Sequence, residues 1–308
     1  MSTAYLFPGQ GSQYVGMGRA LAEVSAAARE VFRQADEALG RPLSELIFEG
    51  PEDALRLTEN TQPAILAASV ACLRALEEAG APPPAAAAGH SLGEYSALVA
   101  AGVLSLPDAV RLVEKRGRYM QEAVPVGQGT MAAVLGLELA GVEEICRGIH
   151  RPDHVVEVAN DNCPGQVVIS GHAAAVAEAC DAAKRAGAKR AVELAVSAPF
   201  HCSLMEPAGR RLEAELRGVQ VRPPRFPVVA NVDAQPYRSA DEVVPRLVAQ
   251  VSSRVRWQEC VRALRALGVE RFVEVGPGKV LSGLVRRIDR GAAVANVENP
   301  ETLKAFLG

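Results

Sequence analysis

The sequence predicts an α/β fold in two parts, a larger body built on a parallel sheet and a small inserted unit. Three observations carry this reading. Short apolar strands alternate with amphipathic helices toward both ends of the chain, which is the pattern of a parallel sheet covered on both faces. The middle of the chain reads βαββαβ, the split βαβ order of a ferredoxin-like unit. Gly89-His90-Ser91-Leu92-Gly93 stands between an alanine-rich strand and a helix-forming stretch, the strand–turn–helix setting of a nucleophile elbow.

The elements follow in order. Residues 3–7 form an apolar strand that stops at the glycine-rich turn Pro8-Gly9-Gln10-Gly11-Ser12-Gln13. Helical patterns run over 17–39 and 62–79, the second with Ile65, Leu66, Val70, Leu73 and Leu76 at helical spacing. The strand at 85–88 enters the elbow, and a helix follows it. Pro107 then sits in the first turn of a helix from 106 to about 123. The inserted unit has strand 130–135, helix 142–149, strands 155–160 and 166–170, helix 173–186 and strand 190–196. Helix 203–216, strand 226–231, helices 240–252 and 257–267, and strand 271–275 resume the body. That strand closes at Gly276-Pro277-Gly278, before helix 280–288, strand 292–296 and a short last helix. The division is therefore 1–128 and 197–308 for the body and 129–196 for the insert. Sites in parallel sheets lie at the carboxyl ends of strands. The Gln10 turn and the Ser91 elbow both fall there and are expected to share one crevice.

Composition narrows the function. A chain of 308 residues with 49% apolar and 22% charged residues has the makeup of a soluble globular protein with a substantial core. A net charge of −3 and the lack of a basic stripe argue against a nucleic-acid partner. No apolar run is long enough to span a bilayer, and no basic segment precedes the first apolar residues, as a signal peptide would require. Six scattered cysteines, with no Cys-x-x-Cys pair and no histidine at ligand spacing, read as reduced thiols and not as a metal site. The expectation is a cytoplasmic, monomeric protein without metal or membrane anchor.

Ser91 is the candidate nucleophile. Glycines on both sides permit the sharp reversal, and amides at a helix start face the charge that develops on an attacked carbonyl. A serine needs a base, and there are five histidines. His90 adjoins the serine, where side chains diverge. His150, His154 and His172 belong to loops and helix starts of the insert. His201 lies where the insert rejoins the body, and by elimination it is the base. No carboxylate stands out to orient it: Asp108, Asp153, Asp161 and Asp233 are candidates by position alone, and a backbone carbonyl would serve instead. Arg116, on the helix after the elbow helix, falls near the stripe of Leu112, Val113 and Met120. If turned inward it must pair with an anion, such as a substrate carboxylate; spacing alone leaves a solvated arginine equally open.

Ordered motifs then tie the whole chain to a family. Phe7-Pro8-Gly9-Gln10-Gly11-Ser12-Gln13, Thr61-Gln62-Pro63-Ala64, the elbow through Ser96, Arg116-Gly117, Pro164-Gly165-Gln166-Val167-Val168-Ile169-Ser170-Gly171, Phe200-His201 and Glu274-Val275-Gly276-Pro277-Gly278 resemble the malonyl-CoA:acyl carrier protein transacylases. The resemblance implies an α/β-hydrolase-like body with a ferredoxin-like insert. It implies ping-pong transfer of malonyl from malonyl-CoA to the phosphopantetheine thiol of acyl carrier protein, without a cofactor. By the same resemblance Ser91 is acylated, His201 is the base, the Gln10 and Leu92 amides form the oxyanion hole, Arg116 holds the malonyl carboxylate, and the Gln250 carbonyl orients His201. Leu92 and Phe200 both resemble malonyl-selective members. A free-standing acyltransferase of a polyketide synthase remains the alternative. A serine hydrolase or thioesterase would share the elbow but have no need of Arg116. The carrier is acidic, so Lys189, Arg190 and Arg287 are candidate docking residues.

Overall fold

The computed structural model describes all 308 residues. Strand β1 (Thr3–Phe7) leads to helices α1 (Arg19–Val24), α2 (Ala26–Leu39), α3 (Leu43–Glu49), α4 (Glu52–Arg56) and the long α5 (Thr58–Glu78). Then come β2 (Ala86–Gly89), α6 (Gly93–Ala100) and α7 (Leu106–Glu122). The middle of the chain forms β3 (Gly129–Leu135), α8 (Leu139–Ile149), β4 (Val156–Cys163), β5 (Gln166–His172), α9 (Ala173–Arg185) and β6 (Arg190–Glu193). The last third holds α10 (Glu206–Arg217), β7 (Val228–Val229), α11 (Val243–Ser252), α12 (Trp257–Ala266) and β8 (Arg271–Val275). It ends with α13 (Val280–Ile288), β9 (Ala293–Val297) and α14 (Pro300–Leu307).

Two sheets result. The first is parallel throughout, in the order β7-β2-β1-β8-β9. The second is antiparallel, in the order β4-β5-β3-β6, the strand arrangement expected of the βαββαβ unit. The fold class is thus the α/β one predicted. Alternation along β1 shows why the parallel sheet is covered twice. Tyr5 and Phe7 join the largest apolar cluster with α5, while Ala4 and Leu6 join a second cluster around Trp257 and Phe272. Helix α5 is apolar nearly all round because it is buried nearly all round. A third, separate cluster lies between the antiparallel sheet and α8 and α9. No helix is long and apolar enough to cross a membrane, and all six cysteines are free and buried.

Several boundaries differ from the sequence reading for local reasons. The helix expected over 17–39 breaks at Ser25, whose side chain accepts from the Ala28 amide and caps α2. Helices α3 and α4 occupy a stretch too short for a clear period. Helix α5 begins at Thr58 and not at Gln62, because the Asn60 and Thr61 amides already bond to Leu57 O. The strand expected over 226–231 keeps two residues, since the chain turns back as Ala230 N–H donates to Gln235 O. Strand β6 stops at Glu193; the Leu194 amide still donates to Met131 O, and 194–196 then run beside a cleft.

The β1–β2 register is the fold feature that matters most for the site. Phe7 lies opposite Gly89, so the Gln10 turn and the Ser91 elbow leave adjacent strands at the same edge.

Candidate active site

The elbow is sterically closed to side chains on either flank of the serine. A Cβ at Gly89 would lie 1.9 Å from the backbone of Gly93, and one at Gly93 would lie 2.1 Å from Phe7 O. The chain between them turns through a left-handed residue, Ser91 at φ 52°. Only three non-glycine residues have positive φ, and His201, at 60°, is another. Each such conformation costs about 1–3 kcal/mol and persists only where the surroundings enforce it. At Ser91 the enforcing residue is Asn231, at the end of the β7 segment. Its Oδ1 accepts from Ser91 N–H at 2.7 Å, and its Nδ2 donates to Gly89 O at 2.8 Å.

Ser91 Oγ lies 2.7 Å from His201 Nε2, and His201 Nδ1 lies 2.9 Å from the main-chain oxygen of Gln250. A carbonyl accepts only, so Nδ1 carries the hydrogen and Nε2 presents its lone pair to the serine. Burial, reinforced by the Arg116 charge, pulls His201 down to about 3. The imidazole is therefore neutral at working pH and free to accept a proton. No carboxylate bonds to it. Asp108, in the first turn of α7, accepts from Ser105 Oγ, Asp233 pairs with Arg246, Asp161 is buried in β4 with its amide on Val255 O, and Asp153 sits in the turn between α8 and β4.

The other histidines are engaged elsewhere. His90 Nε2 pairs with Asn162 Oδ1 at 2.9 Å, with Trp257 beside the ring. His150 pairs with Val156 O, His154 with Glu178, and His172 with the Val155 amide.

Arg116 points inward and is 1% exposed. Its Nη1 donates to Gln62 Oε1 at 2.9 Å, and its Nη2 to Ser91 Oγ at 3.1 Å and Gln250 Oε1 at 3.0 Å. All its direct partners are neutral, and Nε has none. A buried cation in that state is a receptor for an anion. Glu94 is linked to it through the Gln250 carboxamide.

These groups line a cavity of about 430 Å³ between the two sheets. The body contributes Gln10, Ser91, Leu92, Arg116 and His201; the antiparallel sheet side contributes Met131, Asn160 and residues 194–196. Neither the Gln10 nor the Leu92 amide donates a hydrogen bond within the chain, and both residues face this space. Such a set can carry out attack of an alcohol on a carbonyl, with a neutral base, two free amides and a guanidinium for an acid substituent. Lys189, Arg190 and Arg287 lie away from it, at one exposed edge of the antiparallel sheet. Arg190 pairs in register with Leu135, Leu135 with Gln166, and Arg287 bonds to Gln166 and Pro164.

Sequence reasoning gave no role to Asn231, Glu94 or Gln62. Glu94 and Gln62 do stand in the family motifs, as polar residues in otherwise apolar helices. Asn231 carries no local signal.

Comparison with known proteins gives the family of the chain. The acyl transferase domain family matches residues 4–300. The malonyl CoA-acyl carrier protein transacylase of Bacillus subtilis is 48% identical over 301 residues, 98% of this chain and 95% of that protein. The crystal structure of an acyl carrier protein S-malonyltransferase from Vibrio cholerae is 46% identical with a TM-score of 0.97, covering 99% of this chain and 100% of that one. A malonyl-transacylase in complex with its type II PKS acyl-carrier protein is equally similar, with 46% identity and a TM-score of 0.97 over 100% and 99% of the two chains.

Proposed function

Because the chain belongs to the acyl transferase domain family, we propose that it moves malonyl from malonyl-CoA to the phosphopantetheine thiol of an acyl carrier protein through an ester on Ser91. The observation that carries this reading is the buried Arg116 guanidinium, 3.1 Å from Ser91 Oγ and without an anionic partner of its own. A malonyl thioester has its free carboxylate two bonds beyond the carbonyl under attack. One end can pair with Arg116 while the other meets the serine.

The steps follow from the geometry. Ser91 Oγ attacks the thioester carbon as His201 Nε2 takes the hydroxyl proton. The oxyanion forms against the Gln10 and Leu92 amides. Collapse breaks the carbon–sulfur bond, and the departing thiolate takes the proton from Nε2. The carrier thiol then gives its proton to His201 and attacks the ester, and Ser91 recovers the proton as it leaves. The Gln250 carbonyl holds the imidazole in the required tautomer throughout. Every proton and charge in this cycle is handled by side chains and amides, so the chemistry closes without a cofactor.

The two-part division belongs to the same proposal: 1–128 and 197–308 carry the nucleophile and base, and 129–196 roofs the cleft and limits water. The exposed cluster of Lys189, Arg190 and Arg287 is the proposed carrier-docking edge. A polyketide carrier is the second reading, favoured by the similarity to the type II PKS complex. Intact-mass measurement after mixing with malonyl-CoA tests the mechanism. One malonyl adduct is expected, and none in Ser91→Ala; an unmodified wild-type protein would sink it. Transfer rates to fatty-acid and polyketide carriers then decide the pathway.

A further inference from the structure

Glu94 opens helix α6 three residues after the nucleophile, is fully buried, and touches no reacting atom. Three donors converge on its carboxylate. Tyr237 Oη donates to Oε1, while the Asn231 main-chain N–H at 3.0 Å and Gln250 Nε2 at 2.7 Å donate to Oε2. The Gln250 carboxamide therefore lies between a carboxyl group and a cation. Its Nε2 faces Glu94 and Ser91 O, the latter at 3.0 Å, and its Oε1 accepts from Arg116 Nη2. An amide so placed has one allowed orientation. Turned over, it would set its NH₂ against the guanidinium donors and its oxygen against the carboxylate. Gln250 Oε1 and Gln62 Oε1 are the two carbonyl acceptors that hold the guanidinium beside Ser91.

We infer that Glu94 is a positioning residue for carboxylate recognition: by locking the Gln250 carboxamide in one orientation, it keeps Arg116 aimed at the substrate. The inference rests on the malonyl-transfer reading of the site. It acts through the Gln250 side chain, whereas the His201 contact runs through the Gln250 main chain. Acyl donors that lack a carboxylate should therefore depend on Glu94 far less than malonyl-CoA does.

What the position requires is an acceptor facing two N–H donors. Glutamine supplies one, with its own NH₂ turned to the Tyr237 oxygen, which can accept. Alanine supplies none. The test compares wild type, Glu94→Gln and Glu94→Ala with two acyl donors. Malonyl-CoA needs Arg116, and p-nitrophenyl acetate reports on Ser91 and His201 alone. For Glu94→Ala, kcat/KM with malonyl-CoA should fall on the order of 10- to 100-fold, the loss expected for a hydrogen bond to a charged group. Most of that loss should be in KM, and the acetate reaction should fall less than about threefold. Glu94→Gln should recover malonyl-CoA activity to within about threefold. Glutamine as damaging as alanine, or equal losses with both donors, would overturn the inference. Should Glu94→Ala fail to fold, Glu94→Met carries the same test, since it fills the space and offers the two N–H donors no oxygen. A malonyl-weighted loss is expected there, and an equal loss with both donors would overturn it. A wild-type protein that malonyl-CoA leaves unmodified, yet that p-nitrophenyl acetate acylates, would instead remove the transferase reading itself.

Discussion

The two sheets that face the cleft bury different things. At the carboxyl edge of the parallel sheet, Glu94, Arg116, His201, Asn231 and Gln250 are each at most 4% exposed. They bond to one another or to the elbow, and of the three positive-φ non-glycine residues one, His201, lies among them and another, Ser91, is in the elbow. The face of the antiparallel sheet that packs on α8 and α9 forms with them a cluster of 13 buried apolar residues. The buried polar residues of this sheet, among them Asn160, Asp161 and Ser170, stand outside that cluster. Burying polar groups costs free energy unless each finds a partner, and at the carboxyl edge of the parallel sheet the site residues partner one another. The contrast teaches where a substitution changes chemistry and where it changes only stability.

The sharpest way to break this contrast is to remove the nucleophile. Ser91→Ala should lower malonyl transfer by about 10⁴-fold or more and leave the thermal transition close to that of the wild type. A rate loss below about tenfold in a transfer assay would place the nucleophile elsewhere. Next in size is Arg116→Ala. Loss of the carboxylate partner should cost on the order of 100-fold in kcat/KM for malonyl-CoA and narrow the malonyl-to-acetyl ratio. If both rates fell together, the guanidinium would be a packing group.

Two variants address the other sheet. Reversing Lys189, Arg190 and Arg287 to glutamate should raise KM for the carrier about tenfold at low salt and less at high salt. Self-acylation by malonyl-CoA should not change. An unaltered carrier KM would remove this edge from the docking surface. Ile169→Val, inside the apolar cluster beneath the antiparallel sheet, should cost about 1 kcal/mol of stability in denaturant titration. Its kcat/KM should stay within about twofold of wild type.

The smallest effect is a pH dependence of stability. Burial pushes Glu94 up to about 7, against the hydrogen bonds from Tyr237 and Gln250. A carboxyl with a raised pKa binds its proton more tightly folded than unfolded. Its stabilisation is complete below the unfolded value and is lost as pH rises through about 7. The Tm of Glu94→Gln relative to wild type should therefore climb by about 2 °C between pH 5 and pH 8. A difference that is flat or falls would mean that the carboxylate is ionised at little cost.

Much of the fold was legible because its signals are local. Alternation and helical period are written within ten or twenty residues, so the order of strands and helices, including βαββαβ, could be read before any contact was known. Misread boundaries fell where a tertiary contact or a cap outweighed the period, as at Ser25 and after Val229. Ser91 was legible from the two flanking glycines. His201 was singled out by elimination among five histidines, and by the family motif Phe200-His201.

By itself, then, the sequence determined the α/β class, the elbow and a short set of candidate groups. Only the tertiary structure decided which of them meet. Arg116 turns inward because Gln62 and Gln250, 54 residues before it and 134 after it, offer it acceptors. Ser91 keeps its left-handed backbone because Asn231, 140 residues away, takes its amide. Helical and strand periods arise from neighbours in the chain and leave a pattern there. A hydrogen bond between residues more than a hundred positions apart leaves none, because its geometry exists only once both sheets have packed.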